Sequence, residues 1–167
     1  MERHIYIVGF MGSGKSTIGP ILAGEMDRPF YDLDELIEKE QERSISDIFE
    51  SQGEAFYRQL ESHKLFQSKH FMPCVMALGG GTFASKFNRD FISKHGLSVW
   101  LKIPIQLARE RCRDSQHRPL AKDPARWESL FHLREPDYSL ANIQVEVQGK
   151  SAQQICSEVH TQLTDMR

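Results

Sequence analysis

Apolar positions in this chain fall into short runs rich in β-branched and aromatic residues, at positions 4–8, 30–33, 74–78, 97–101 and 143–147. Runs of this length and composition predict strands, and the stretches between them repeat their apolar positions at helical spacing. The first three runs contain little polar alternation, as expected of strands buried on both faces. Strands alternating with helices imply right-handed βαβ crossovers, hence an α/β fold with a parallel sheet flanked by helices. The clearest helix comes last: Ser151 and Gln154 have capping-box spacing, and Ile155, Val159, Leu163 and Met166 form one apolar face. Residues 114–126 contain Pro119 and Pro124 and show no periodicity. They read as a mobile surface flap rather than a linker, because too little chain follows to build a second domain. Neither an internal repeat nor a low-complexity segment interrupts the pattern.

Composition narrows the class. A chain of 167 residues has the size of one domain. Apolar residues at 40% and charged residues at 26% are ordinary for a globular protein and suggest neither a disordered nor a fibrous class. A net charge of -2 gives no overall attraction to nucleic acid or to an anionic membrane. No apolar run approaches the ~20 residues that span a bilayer, and the first residues lack the apolar core of a signal peptide. The expectation is a cytoplasmic protein without nucleic-acid or membrane partners, with a monomer as the simplest state. Cys74, Cys112 and Cys156 are odd in number, widely spaced and without C-x-x-C pairing, so they are expected to be ordinary thiols.

Gly9-Phe10-Met11-Gly12-Ser13-Gly14-Lys15-Ser16 satisfies G-x-x-x-x-G-K-[ST] and lies between the first predicted strand and a helical pattern at Ile18, Ile21 and Leu22. Glycines let backbone N-H groups converge on phosphate oxygens, and the helix that follows points its positive end at them. Gly12, Ser13, Gly14, Lys15, Ser16 and Thr17 are therefore candidates for binding a nucleoside triphosphate. Lys15 would reach the outer phosphates and the Ser16 hydroxyl would ligate Mg²⁺. Pro20 falls inside the helix after the loop, where proline normally costs ~3 kcal/mol. No Asn-Lys-x-Asp or Asp-x-x-Gly element is present to support a GTPase switch, and the chain is short for a motor, which leaves a kinase.

Asp32 and Asp34 sit at the end of the second strand, on the edge where a parallel sheet forms its ligand crevice. One reading gives Asp32 to the magnesium shell and Asp34 to an acceptor hydroxyl; the other makes them a helix N-cap and a first-turn acid. Gly79, Gly80 and Gly81 follow the third strand, and three consecutive glycines suggest that something approaches the backbone closely. Arg58 and Arg134 could each grip a carboxylate with a planar guanidinium fork. Arg58 and Glu61 are also spaced i, i+3, so an exposed ion pair is the plainer reading.

In combination these residues closely resemble the shikimate kinase family. The resemblance spans nearly the whole chain: residues 9–17, the Asp32-Leu33-Asp34 pair, residues 44–49 leading into Gly53-Glu54 and Tyr57-Arg58, the triple glycine, Arg118-Pro119-Leu120, and Arg134-x-Pro-x-Tyr138. It implies ATP-dependent phosphorylation of shikimate to shikimate 3-phosphate, on the route to chorismate and the aromatic amino acids, with Mg²⁺ as cofactor. It implies a three-layer fold whose five-stranded parallel sheet has the order 2-3-1-4-5. By the same pattern Asp34 would bind ring hydroxyls, Arg58 and Arg134 the carboxylate, and Gly80 the ring from the backbone side. Arg118 would swing in on the flap to the phosphates. Arg113, Arg111 and Lys150 are the candidates for contacts around adenine. Four positions depart from the family pattern: Tyr57 stands where Phe is common, Pro20 where a basic residue is usual, Thr82-Phe83 where smaller residues follow the glycines, and Ala121 where a second Leu is common. A gluconate-type or nucleotide kinase is the nearest rival, and a catalytically silent nucleotide-binding regulator is a rival of another class.

Overall fold

The computed structural model describes residues 3–112 and 123–166. Within them, β1 (His4–Val8), β2 (Phe30–Asp32), β3 (Val75–Ala77), β4 (Gly96–Lys102) and β5 (Ile143–Glu146) form one sheet in the order β2-β3-β1-β4-β5. Every neighbouring pair is parallel, with Ile5 opposite both Val75 and Leu97 and with Val99 opposite Ile143. The predicted order and orientation are thus those observed. The second strand is shorter than its apolar run because Leu33 already belongs to the next helix.

Helices α1 (Lys15–Glu25), α2 (Leu33–Gln41), α3 (Ile45–Gln67), α4 (Lys86–His95), α5 (Ile105–Cys112), α6 (Pro124–Tyr138) and α7 (Ala152–Asp165) connect and cover the strands. Every residue of β1 and β3 is buried, the burial expected of central strands covered on both faces, whereas β5 alternates buried and exposed positions at the sheet edge. In α7 the capping box forms, with Gln154 N donating to Ser151 Oγ at 3.3 Å and Ser151 N to Gln154 Oε1 at 2.8 Å. Ile155, Val159 and Leu163 are buried as predicted, each stabilising the fold by about 1.5–3 kcal/mol relative to exposure. Met166 departs from that face because it is the C-cap, past the last helical turn, and is exposed.

Three local features set the geometry of the crevice. The strand order reverses at β1, which lies between β3 and β4, so the segments leaving β1 and β3 part to either side and open a cleft at the carboxyl edge. Helix α3 is interrupted at Gly53, whose φ of 81° and ψ of 171° turn the chain before Tyr57, Arg58 and Glu61. Helix α6 buries a stripe of Trp127, Phe131, Arg134 and Tyr138; its first two rings meet Phe10 of the phosphate loop edge-on at 5.0 Å. One helix therefore anchors the loop and carries a buried guanidinium.

Of the expected flap, residues 114–122 lie outside the described residues. Its end is helical: Asp123 caps α6 by accepting from Ala125 N and Arg126 N, and Pro124 opens the first turn, where its missing N-H costs nothing. Pro20 is the sixth residue of α1 and exposed; the structure gives it no function. Cys74, Cys112 and Cys156 are reduced and buried. No helix among the described residues is long and apolar enough to cross a membrane.

Candidate active site

The phosphate loop closes on itself. Gly12 and Gly14 have φ of 80° and 95°, in the left-handed region that favours glycine, and Gly14 is the N-cap of α1. Ser13 is buried, and its backbone N-H donates to Phe10 O at 3.1 Å. Lys15 is only 9% exposed; its Nζ donates to Gly9 O at 2.8 Å and to Phe10 O at 3.2 Å, bridging the loop that it would open for a phosphate. A cavity of about 380 Å³ lies against residues 12–18 and is completed by Arg111, Lys150 and Ile155. Arg111 Nη1 donates to Gly12 O at 3.0 Å, while Lys150 is paired with Glu158. Thr17 also lines this cavity, whereas Arg113 and Arg118 fall outside the described residues.

Asp32 is the helix N-cap that its position allowed, and it also meets the phosphate loop. One carboxylate oxygen caps α2 by accepting from Asp34 N at 2.9 Å, and the other accepts from Ser16 Oγ at 3.2 Å. Because β2 ends at Asp32 and α2 begins at Leu33, the two aspartates do not share a strand face. Leu33 turns into the core and Asp34 stands on the first helical turn.

A second cavity, about 530 Å³, opens on the other side of Lys15 and Ser16. Asp34, Phe49, Tyr57, Arg58, Glu61 and Arg134 project into it, and Gly79, Gly80 and Gly81 form part of its wall. Each of these glycines leaves room for a charged group. An added Cβ would stand 2.5 Å from Glu61 Oε1 at Gly79, 2.9 Å from Arg134 Nη1 at Gly80 and 2.6 Å from the Arg58 guanidinium at Gly81. The close approach is therefore made by neighbouring side chains, with no positive φ involved.

The Arg58–Glu61 pair forms, but it is not the solvated pair expected from its spacing. Glu61 is 1% exposed and accepts from Arg58 Nη1 at 2.5 Å and from Thr82 Oγ1 at 2.7 Å. Burial raises the Glu61 carboxyl above its ordinary range, opposed by Arg58 and Thr82. Arg58 also donates from Nη2 to Glu54 at 3.1 Å. Its guanidinium is held between carboxylates at the cleft wall rather than spread on a surface. Arg134 is 6% exposed, and burial pulls its guanidinium below the ordinary arginine value. Beside it, Tyr138 donates to Gly80 O, and burial pushes its phenol up to about 12.

Two contributors were not legible as such. Glu61 has a visible spacing signal, but only the fold reveals that it is buried behind the glycines. Tyr57 stands out in the sequence as a departure, yet nothing there says that its hydroxyl reaches Asp34 Oδ1, at 2.6 Å.

A shikimate kinase family model matches residues 11–164. The chain belongs to the shikimate kinase family. A shikimate kinase of Sulfurihydrogenibium sp. (strain YO3AOP1) is 39% identical over 162 residues, covering 96% of this chain and 98% of that protein. The crystal structure of shikimate kinase from Aquifex aeolicus superposes with a TM-score of 0.89 at 38% identity, over 98% of this chain and 97% of that one. Shikimate kinase from Acinetobacter baumannii, solved in complex with shikimate, gives a TM-score of 0.92 at 31% identity, over 99% of this chain and 94% of that one. Like other members of this kinase family, the chain uses ATP as co-substrate.

Proposed function

We propose that this chain transfers the γ-phosphoryl group of ATP to a hydroxyl of shikimate, giving shikimate 3-phosphate, as one domain acting as a monomer in the cytoplasm. The supporting observation is that Lys15 and Ser16 line both cavities. A phosphoryl group held at these residues faces the nucleotide on one side and an acceptor on the other.

Gly12, Ser13, Gly14, Lys15, Ser16 and Thr17 hold the phosphates, and Lys150 and Arg113 line the nucleoside end. Arg58 and Arg134 take the substrate carboxylate, a planar anion suited to two guanidinium forks. Gly79, Gly80 and Gly81 let the substrate ring lie against backbone. Asp34 orients the acceptor hydroxyl and accepts its proton late, since the transition state of phosphoryl transfer is loose. Lys15 and Arg118 stabilise the charge on the transferring oxygens, and residues 114–126 exclude water that would otherwise compete as acceptor.

Ser16 Oγ and Asp32 Oδ2, 3.2 Å apart, are the hard oxygen donors that Mg²⁺ takes. Two protein oxygens leave most of the octahedral ligands of such an ion to phosphates and water. Bound there, Mg²⁺ would supply positive charge to the phosphate oxygens.

ADP release measured with shikimate, gluconate and AMP in parallel tests the reading. Turnover with shikimate alone is expected. Turnover with gluconate or AMP instead would transfer the assignment to a rival kinase, and none with any acceptor would leave a nucleotide-binding regulator.

A further inference from the structure

One polar group in the acceptor cavity has no role in the reaction just described. Tyr57 lies beyond the Gly53 break in α3, is 3% exposed and packs on Phe49 with ring centroids 4.9 Å apart. Packing alone would be served by a phenyl ring. The hydroxyl is an addition, and a buried phenol oxygen is costly unless it is hydrogen-bonded. Its partner here is Asp34 Oδ1, at 2.6 Å.

The surroundings make this contact a constraint on direction. Asp34 belongs to α2, where its own N-H is tied to Asp32 at 2.9 Å. That bond is made by the backbone, whereas Tyr57 acts on the carboxylate itself, whose direction is set by χ1 and χ2. Tyr57 reaches it from a different helix, and on another side a Cβ at Gly79 would stand 3.0 Å from the same oxygen. Burial pushes the Tyr57 phenol far above its ordinary range, and the Asp34 and Glu61 carboxylates push it further, so it remains a donor.

We infer that Tyr57 is a positioning residue: its hydroxyl holds the Asp34 carboxylate in one rotamer and so sets how the acceptor hydroxyl meets the phosphoryl group. The inference rests on the reading that Asp34 receives that hydroxyl.

A double-mutant cycle of Tyr57→Phe, Asp34→Ala and both together tests it. The readouts are kcat, KM for shikimate and for ATP, shikimate Kd by calorimetry, and the urea unfolding midpoint. Tyr57→Phe is expected to lower kcat about ten- to hundredfold, the scale of one lost bond to a charged group, with KM for ATP unchanged within about twofold. Shikimate Kd is expected to rise about threefold in the Tyr57→Phe enzyme and not at all when the same change is made in the Asp34→Ala background. The Kd arm carries the cycle where Asp34→Ala turns over too slowly to follow. Equal losses in both backgrounds, an unchanged kcat, or a loss explained by a lower unfolding midpoint would each overturn the role. A wild-type enzyme that neither binds nor phosphorylates shikimate would bring down the functional reading and this inference together. A wild-type enzyme that does both, with an additive cycle, would remove the inference alone.

Discussion

On the nucleotide side of Lys15 the cavity wall is mostly one continuous stretch, residues 12–18, shaped by backbone N-H groups and by glycines at positive φ. On the acceptor side the wall is assembled from β2, α2, both halves of α3, the turn after β3 and α6, and its chemistry resides in side chains. A phosphate can be gripped by a local motif, because backbone donors and a helix dipole arrive together in sequence. A carboxylate and a ring of hydroxyls need groups converging from several directions, which only the tertiary fold supplies. The two sides should therefore fail differently when altered.

The largest effect is expected where they meet. Lys15→Ala should lower turnover about a hundredfold or more, as removal of a preorganised charge donor does, while leaving the fold intact. ADP release and circular dichroism check this; retention of more than about a tenth of wild-type turnover would remove Lys15 from the centre of the site.

Arg58→Lys and Arg134→Lys are expected to break the acceptor side alone. Replacing a guanidinium fork by a point charge loses about 1.5 to 3 kcal/mol of charge-assisted bonding, or about ten- to hundredfold in kcat/KM for shikimate. KM for ATP should stay near wild type. Both variants should also discriminate less against a substrate analogue whose carboxylate is replaced by a neutral group. Undiminished discrimination would mean that these arginines do not read the carboxylate.

A smaller and more selective effect is expected from Gly81→Ala, whose methyl would enter the space of the Arg58 guanidinium, 2.6 Å away. The tip of a flexible side chain can move aside, so the fold should survive. KM for shikimate should rise about five- to tenfold with little change for ATP, a fraction of what loss of the guanidinium fork itself would cost. Equal rises in both constants would show that the two sides are not separable.

The smallest effect lies away from both. His4, in β1, is buried beside Cys74, and its Nδ1 lies 3.2 Å from the Cys74 sulfur. Burial lowers its pKa below the usual 6.5, and His95 and Arg28 lower it further. The unfolded chain therefore binds a proton there more readily than the native one, so this contribution is complete above the ordinary histidine value and is lost as pH falls below it. Thermal melts at pH 7.5 and 5.5 should show the loss, and His4→Gln should reduce it. Substrate KM values at pH 7.5 should be the same in both proteins.

The contrast between the two sides also explains what could be read from the sequence. The parallel α/β architecture followed from apolar runs alternating with helical spacing, whereas the strand order came only from the resemblance to the family. The phosphate loop was visible because all its parts are adjacent in the chain, and the α7 cap was visible for the same reason. Local spacing misled where the fold decides burial. Arg58 and Glu61 at i, i+3 describe a surface pair on an isolated helix, but the turn after Ala77 covers Glu61 and binds it through Thr82. The Tyr57–Asp34 contact joins two helices 23 positions apart in sequence and carries no periodic signal. Residues 124–126 resembled a loop because Pro124 ends periodicity when read from outside, although proline suits the first turn of a helix.

The three glycines after β3 also bear on how this gene can change. Most surface sites offer selection a graded series of small and large side chains. Here every substitution adds atoms to space already held by a carboxylate or a guanidinium, so even the smallest step displaces a charged group of the cavity. Gly24, with nothing within 4 Å of an added Cβ, is open to drift. A saturation library selected for growth that depends on the cell making the enzyme's product should show fewer tolerated variants at positions 79–81, with Ala the mildest at 81, and a broad plateau at Gly24. Lineages could then retune the acceptor cavity only by altering the charged groups that crowd the turn.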